Sequence, residues 1–204
     1  MMPATPRFGF LLVAGLLTCT ARGEPLSDRI LPLVENHQGR VSVAVTHLSS
    51  GQSFRYRADQ PMPTASLIKF PLMIAAYSDI ESGKLDLNRT VTLTEADKVP
   101  GSGILTPHFS AGAQLSVRDA IRLMMAYSDN TATNLVIDQV GLRPVADLMS
   151  TLDCPHTKLH SKVFRRDTSV FPDRSRQFGL GSTTASEMVH LLLQLHRGEP
   201  AASA

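Results

Sequence analysis

The chain has 204 residues, with 20 Lys+Arg against 18 Asp+Glu, two cysteines and no tryptophan. That length suits a single compact domain or two small ones, and 43% hydrophobic with 19% charged residues excludes a wholly disordered chain. Arg7 and Arg22 are the only charged residues among the first 23, so the remainder is neutral and the formal +2 gives no nucleic-acid footprint.

Residues 1–23 read as a secretory signal. Arg7 supplies the positive region, Phe8 to Leu17 is an apolar run too short to span a bilayer, and Ala21-Arg22-Gly23 is a small-x-small cleavage site. Cleavage there makes Glu24 the mature start. A rival cut exists, because Leu16-Leu17-Thr18-Cys19 loosely resembles a lipoprotein box, so lipid anchoring at Cys19 is the alternative to simple export. Either way the protein is expected outside the cytoplasm, in a periplasm or the extracellular space. No later apolar run reaches membrane-spanning length. If Cys19 leaves with the signal, Cys154 is the one remaining thiol, and it reads as a small buried apolar residue.

Leu26, Ile30, Leu33 and Val34 recur at helical spacing and predict a helix over 25–37. Val41 to Val45, the turn Ser49-Ser50-Gly51-Gln52 and Phe54 to Tyr56 predict a β-hairpin. Pro61 and Pro63 precede a helix expected from near Ser66 to about Ser78. Thr90–Thr94 reads as extended and Pro100-Gly101-Ser102-Gly103 as a loop. Ser116 with Asp119 marks a helix start running to Tyr127, another helix follows Asn130 and stops at Gly141, and a shorter one covers 143–152. Residues 154–182 show no convincing period. Thr184 with Glu187 opens a last helix that closes at Gly198.

Two short patterns bear on chemistry. In Ser66-Leu67-Ile68-Lys69 a serine and a lysine lie three apart, on one face of a helix. A serine hydroxyl needs a base to take its proton, and a lysine amine becomes one when apolar neighbours desolvate it. Leu67, Ile68, Phe70 and Leu72 are such neighbours. With 19 Ser and five Lys the chain expects roughly half an S-x-x-K by chance, so this pattern alone means little. Ser128-Asp129-Asn130, between two helices, has a chance expectation of roughly 0.02 from 12 Asp and four Asn. Those residue types also suit a helix N-cap, which does not account for their pairing with Ser66 and Lys69.

Ser66-x-x-Lys69 followed by Ser128-Asp129-Asn130 resembles the class A serine β-lactamases and their relatives among the penicillin-binding proteins. The resemblance extends to the loop at 101–103, the stretch Met124 to Leu135 and Gly181-Ser182-Thr183-Thr184. It implies an α/β fold of β-lactamase/transpeptidase type, with the helical subdomain largely complete and the sheet subdomain reduced to an N-terminal hairpin. The implied domains are 1–23 signal, 24–60 helix and hairpin, 61–181 helical catalytic subdomain and 182–204 last helix and tail. By the resemblance Ser66 is the acylated nucleophile, Lys69 its base or proton relay, and Ser128 the donor to the leaving nitrogen. Asn130 holds the substrate amide, the Ser66 backbone N–H gives half the oxyanion hole, and Asp129 braces the loop.

Two departures stand out. The family's deacylating Glu has no counterpart, since no Glu lies between Glu95 and Glu187. Asp167 and Asp173 fall in about that loop, and Asp167 is the candidate replacement base. No lysine is followed two residues on by Gly, so the K-T-G strand is missing, and the chain reads as C-terminally truncated with weak turnover expected. The leading expectation is a serine hydrolase opening β-lactams through an acyl-serine intermediate, a monomer with no cofactor and no metal. The alternatives are a D,D-peptidase or esterase-like acyl enzyme with slow deacylation, acting on peptidoglycan-stem-like substrates, and an inactive remnant or binding module. Cys154, His156 and His160 make at most a weak zinc candidate. Lys162, Arg165, Arg166, Arg174 and Arg176 read as a solvated loop pinned by Arg–Asp pairs, and the Met124-Met125 pair as core.

Overall fold

A computed structural model describes residues 25–199. The expected signal segment and the lipoprotein-type Cys19 lie outside the described residues. Helix α1 (Leu26–Glu35) belongs to a first compact unit that ends at Asn36. It follows Pro25 and contains Pro32, which deprives one turn of its hydrogen bond.

The second unit begins at His37. Strands β1 (Val43–Thr46) and β2 (Ser53–Tyr56) form the expected hairpin, in register Val43↔Tyr56 to Thr46↔Ser53. Strand β3 (Met62–Pro63) leads into a 3-10 helical turn, Ala65–Ile68, and then α2 (Lys69–Glu81). The α-helix therefore starts at Lys69, not near Ser66, and runs three residues past Ser78. Strand β4 (Thr90–Thr92), short helix α3 (Leu105–His108) and β5 (Gln114–Ser116) follow. Then come α4 (Val117–Ala126), α5 (Asn130–Val140) and α6 (Leu142–Thr151). The chain continues through β6 (Lys158–Leu159), α7 (Pro172–Phe178), β7 (Gly181–Thr183) and α8 (Ala185–Arg197).

Side-chain caps set the starts of α4, α5 and α8. Ser116 Oγ accepts the Asp119 N–H at 3.1 Å, Asp129 Oδ1 the Ala132 N–H at 2.8 Å, and Thr184 Oγ1 the Glu187 N–H at 3.1 Å. Gly198 ends α8 in the left-handed region, as a C-terminal glycine does.

Segment 154–182 is where expectation and structure diverge. It holds β6, a 3-10 turn at Arg166–Thr168, α7 and β7. Strand β7 lies centrally between β3 and β6, pairing Pro63↔Ser182 on one side and Lys158↔Ser182 on the other. Two- and three-residue strands whose partners are far along the chain leave no local period to read. β4 likewise pairs with β5, so small sheets accompany the hairpin.

Helix α5 runs through the core with nearly every residue buried. Its polar side chains are satisfied there: Thr131 Oγ1 accepts the Val99 N–H at 3.0 Å and Thr133 Oγ1 donates to the Asp129 carbonyl at 2.6 Å. Ile68, Leu72, Met124 and Val136 fill the main cluster, each burial contributing roughly 1.5–3 kcal/mol. Met124 is fully buried but Met125 is exposed, so only half of that pair is core. Ile74, Met149, Cys154, Met188 and Leu191 form a second cluster. Among the described residues no helix is long and apolar enough to cross a membrane.

Candidate active site

The 3-10 turn and α2 together carry Ser66 and Lys69. Residues three apart eclipse one another in a 3-10 turn, so Ser66 and the start of α2 share a face. Ser66 is exposed while Lys69 is 3% exposed. The turn is strained at its entry, because Ala65 has φ 43°, a left-handed value that costs an alanine about 1–2 kcal/mol. The first backbone bond of the turn runs from the Leu67 N–H to the Thr64 carbonyl at 3.0 Å, so the Ser66 N–H just ahead of it has no acceptor within the turn.

Lys69 is held from the loop between α4 and α5. Its Nζ donates to the Ser128 carbonyl at 2.6 Å, to Ser128 Oγ at 3.0 Å and to Asn130 Oδ1 at 3.0 Å. These three acceptors match the three protons of an ammonium. Burial nevertheless holds the Lys69 amine below its ordinary 10.5, with the Asp129 charge pulling in the opposite direction. Ser128 reaches this position in a left-handed conformation, φ 51°.

Asp129 does not touch Lys69. Its Oδ2 accepts the Ile104 N–H at 2.7 Å and the Leu105 N–H at 2.9 Å, and its Oδ1 caps α5. The carboxylate thereby ties loop 100–105 to the site. A methyl group on Gly103 would lie 2.3 Å from Asp129 Cγ, so only glycine lets the loop come so close. Asn130 completes the tie, its N–H donating to the Ser102 carbonyl at 2.9 Å and its Nδ2 to the Pro100 carbonyl at 3.0 Å.

The loop between β6 and α7 borders this arrangement. Asn134, one turn beyond Asn130, accepts the Val163 N–H at 2.8 Å and donates Nδ2 to the Val163 carbonyl at 3.1 Å. Phe164 packs near Gly101. Asp167 is exposed on its 3-10 turn and, among the described hydrogen bonds, has none to Ser66, Lys69, Ser128 or Asn130. Sequence reasoning missed Asn134, although its i+4 relation to Asn130 was a readable signal, and missed Val163, for which no local signal exists.

The remaining candidates are structural in this fold. His160 is fully buried, with Nδ1 2.9 Å from the Gly179 carbonyl and Nε2 3.1 Å from Ser182 Oγ. Cys154 is buried beside the Glu187 carbonyl, and burial, then Glu187 and Asp153, push its thiol up to about 12. The basic loop is pinned differently from expectation. Lys162 pairs with Asp138 on α5, Arg165 donates to the Ala96 carbonyl, and the Arg–Asp pair of the segment, Arg176–Asp173, lies on α7.

Buried Lys69 thus lies three residues from Ser66 along the serine turn and finds its three acceptors on the Ser-Asp-Asn bend. The chain matches the model of the beta-lactamase enzyme family over residues 25–203, and it belongs to that family. It is 30% identical over 160 residues to Beta-lactamase SME-1 of Serratia marcescens, an alignment covering 73% of this chain and 54% of that protein. The β-lactamase of Sphaerobacter thermophilus superposes with a TM-score of 0.74 at 33% identity, covering 86% of this chain and 63% of that one. An ancestral class A β-lactamase gives 0.72 at 25% identity, covering 87% and 65%. The chain spans about half the length of the curated relatives it matches.

Proposed function

We propose that this chain carries the acylation half of a class A β-lactamase-type serine hydrolase, opening the β-lactam amide through an acyl-Ser66 intermediate. The observation that carries the reading is the placement of buried Lys69 Nζ 3.0 Å from both Ser128 Oγ and Asn130 Oδ1, one turn from Ser66. In this reading neutral Lys69 takes the Ser66 proton, Ser128 passes a proton to the departing nitrogen, and the Ser66 N–H stabilises the oxyanion. Asn130 holds the substrate's side-chain amide, and Asp129 keeps the bend in shape. The substrate is a small β-lactam encountered outside the cytoplasm after export, in an antibiotic response, and the protein acts as a monomer. Hydrolysis of a chromogenic cephalosporin, abolished in Ser66→Ala, tests it. Equal rates in the two proteins overturn it.

A second reading, slow release of the acyl group as in a D,D-peptidase or esterase-like enzyme, is favoured by one specific observation. The loop meets α5 through Val163 on Asn134 and Lys162 on Asp138, Phe164 packs near Gly101, and Asp167 is exposed. Asp167, the carboxylate of that loop, makes no described hydrogen bond to Ser66, Lys69, Ser128 or Asn130. Stoichiometric labelling by a fluorescent penicillin, with turnover slower than labelling, distinguishes this reading from rapid hydrolysis.

A further inference from the structure

Strand β7 backs the serine turn. The Thr64 N–H donates to the Gly181 carbonyl at 3.1 Å, and β3, one residue upstream, pairs with β7. A methyl group on Gly181 would lie 2.7 Å from Thr64 Oγ1 and 2.9 Å from Ile68 Cγ1, so strand and turn are in close contact. Whatever holds β7 therefore holds the strained Thr64-Ala65-Ser66 backbone.

What holds β7 on its other side is a buried polar cluster around Ser182, itself 0% exposed. Arg174 Nη2 donates to Ser182 Oγ at 2.6 Å and to the His156 carbonyl at 3.2 Å. His160 Nε2 lies 3.1 Å and the His156 carbonyl 2.9 Å from the same hydroxyl. The His160 backbone closes the loop neck, its N–H donating to the Leu180 carbonyl at 2.8 Å and its carbonyl accepting the Val170 N–H at 3.0 Å.

We propose that His160, Ser182 and Arg174 form a positioning device for Ser66, and that protonation of His160 loosens it. The proposal rests on the reading of Ser66 as the acylated residue. The proton inventory explains the sensitivity. Nδ1–H donates to Gly179, so in neutral His160 the Nε2 lone pair accepts the Ser182 O–H and Arg174 serves the His156 carbonyl. Adding a proton at Nε2 turns the Ser182 hydroxyl toward His156 and places a second cation beside Arg174, on a ring that is itself 0% exposed.

The charged groups around the ring are cationic. Arg174 of α7 and Lys158 of β6 both disfavour the imidazolium, and burial disfavours it most, while the Gly179 carbonyl favours it. The Phe171 ring stands edge-on at 6.2 Å, with Lys158 and Arg143 of α6 over it. Asp173 on α7 is paired with Arg176, and Glu187 on α8 accepts from the His156 N–H and Thr157. The His160 proton affinity therefore falls below its ordinary 6.5, and the stability this site lends is complete above that value and lost as pH falls toward the lowered one.

The test follows the His160 imidazole by NMR from pH 8 to pH 4 in the whole chain, together with the Thr64, Ser66 and Gly181 amides. Labelling by a fluorescent penicillin is measured over the same range in wild type and His160→Gln. The expected result is amide shifts with the His160 midpoint and a labelling rate falling roughly tenfold or more through it, since small misplacements of a nucleophile are costly. His160→Gln, which does not titrate, should lose that acid limb and keep the one set by Lys69. Silent amides while His160 titrates, an acid limb retained in His160→Gln, or unfolding before His160 protonates would each overturn the proposal. Absence of labelling at every pH would overturn the acyl-Ser66 reading, and the amide titration would still decide the coupling.

Discussion

Lys69 Nζ lies 3.0 Å from Ser128 Oγ and 2.6 Å from the Ser128 carbonyl, so one residue in a left-handed bend grips the ammonium twice. The bend supplies the acceptors, and burial supplies the pressure to lose the proton.

The pH dependence follows from that pair. Lys69 is a base only when neutral, so Ser66 acylation should rise with pH through the lowered Lys69 value. Lys69→Arg, charged at all accessible pH, should lose acylation by about a hundredfold or more. In stability the unfolded chain binds the Lys69 proton more tightly than the folded one. Wild type should therefore gain on Lys69→Met as pH rises toward 10.5, and denaturant titrations across pH would show the gap moving in that direction.

Asp129 is 1% exposed and accepts three backbone N–H groups. Asp129→Ala strands all three and should cost about 3 kcal/mol or more by urea unfolding. Gly103→Ala should also destabilise, because its methyl meets the same carboxylate. Asp119→Ala, at the exposed start of α4, should cost about 1 kcal/mol or less and serves as the comparison.

Asn134 ties Val163 by its N–H and its carbonyl together. Asn134→Ala should release the loop before the fold, so limited proteolysis with mass identification should find new cuts within 160–170. An unchanged cleavage map would show that Lys162–Asp138 and the β6–β7 neck hold the loop without Asn134.

Cys154 is fully buried and its thiol is held well above the neutral range. Ellman's reagent at pH 8 should not modify it in the native protein and should do so on unfolding in urea. Mass spectrometry assigns the label to Cys154.

Glu187 illustrates how far local patterns reach. Its place three residues after Thr184 marks the start of α8, and Thr184 Oγ1 does cap the Glu187 N–H. Its carboxylate, however, goes to the His156 N–H at 2.9 Å and to Thr157 Oγ1 at 2.5 Å, far back in the chain. His160 shows the same limit: next to Cys154 and His156 it resembles a ligand, yet both ring nitrogens meet protein groups.

The sequence by itself determined the family motifs and the helices whose caps lie within a turn of their ends, because N-caps, glycine stops and amphipathic spacing are short-range. Ser116, Asp129, Thr184 and Gly198 all act at the termini that their residue types mark. Only the tertiary structure decided that Lys69 meets Ser128 and Asn130, that Val163 rests on Asn134, and that β7 stands behind Ser66. Those contacts join groups distant in the chain, most of them through the backbone, and a backbone hydrogen bond leaves no mark on residue type at the end that supplies it.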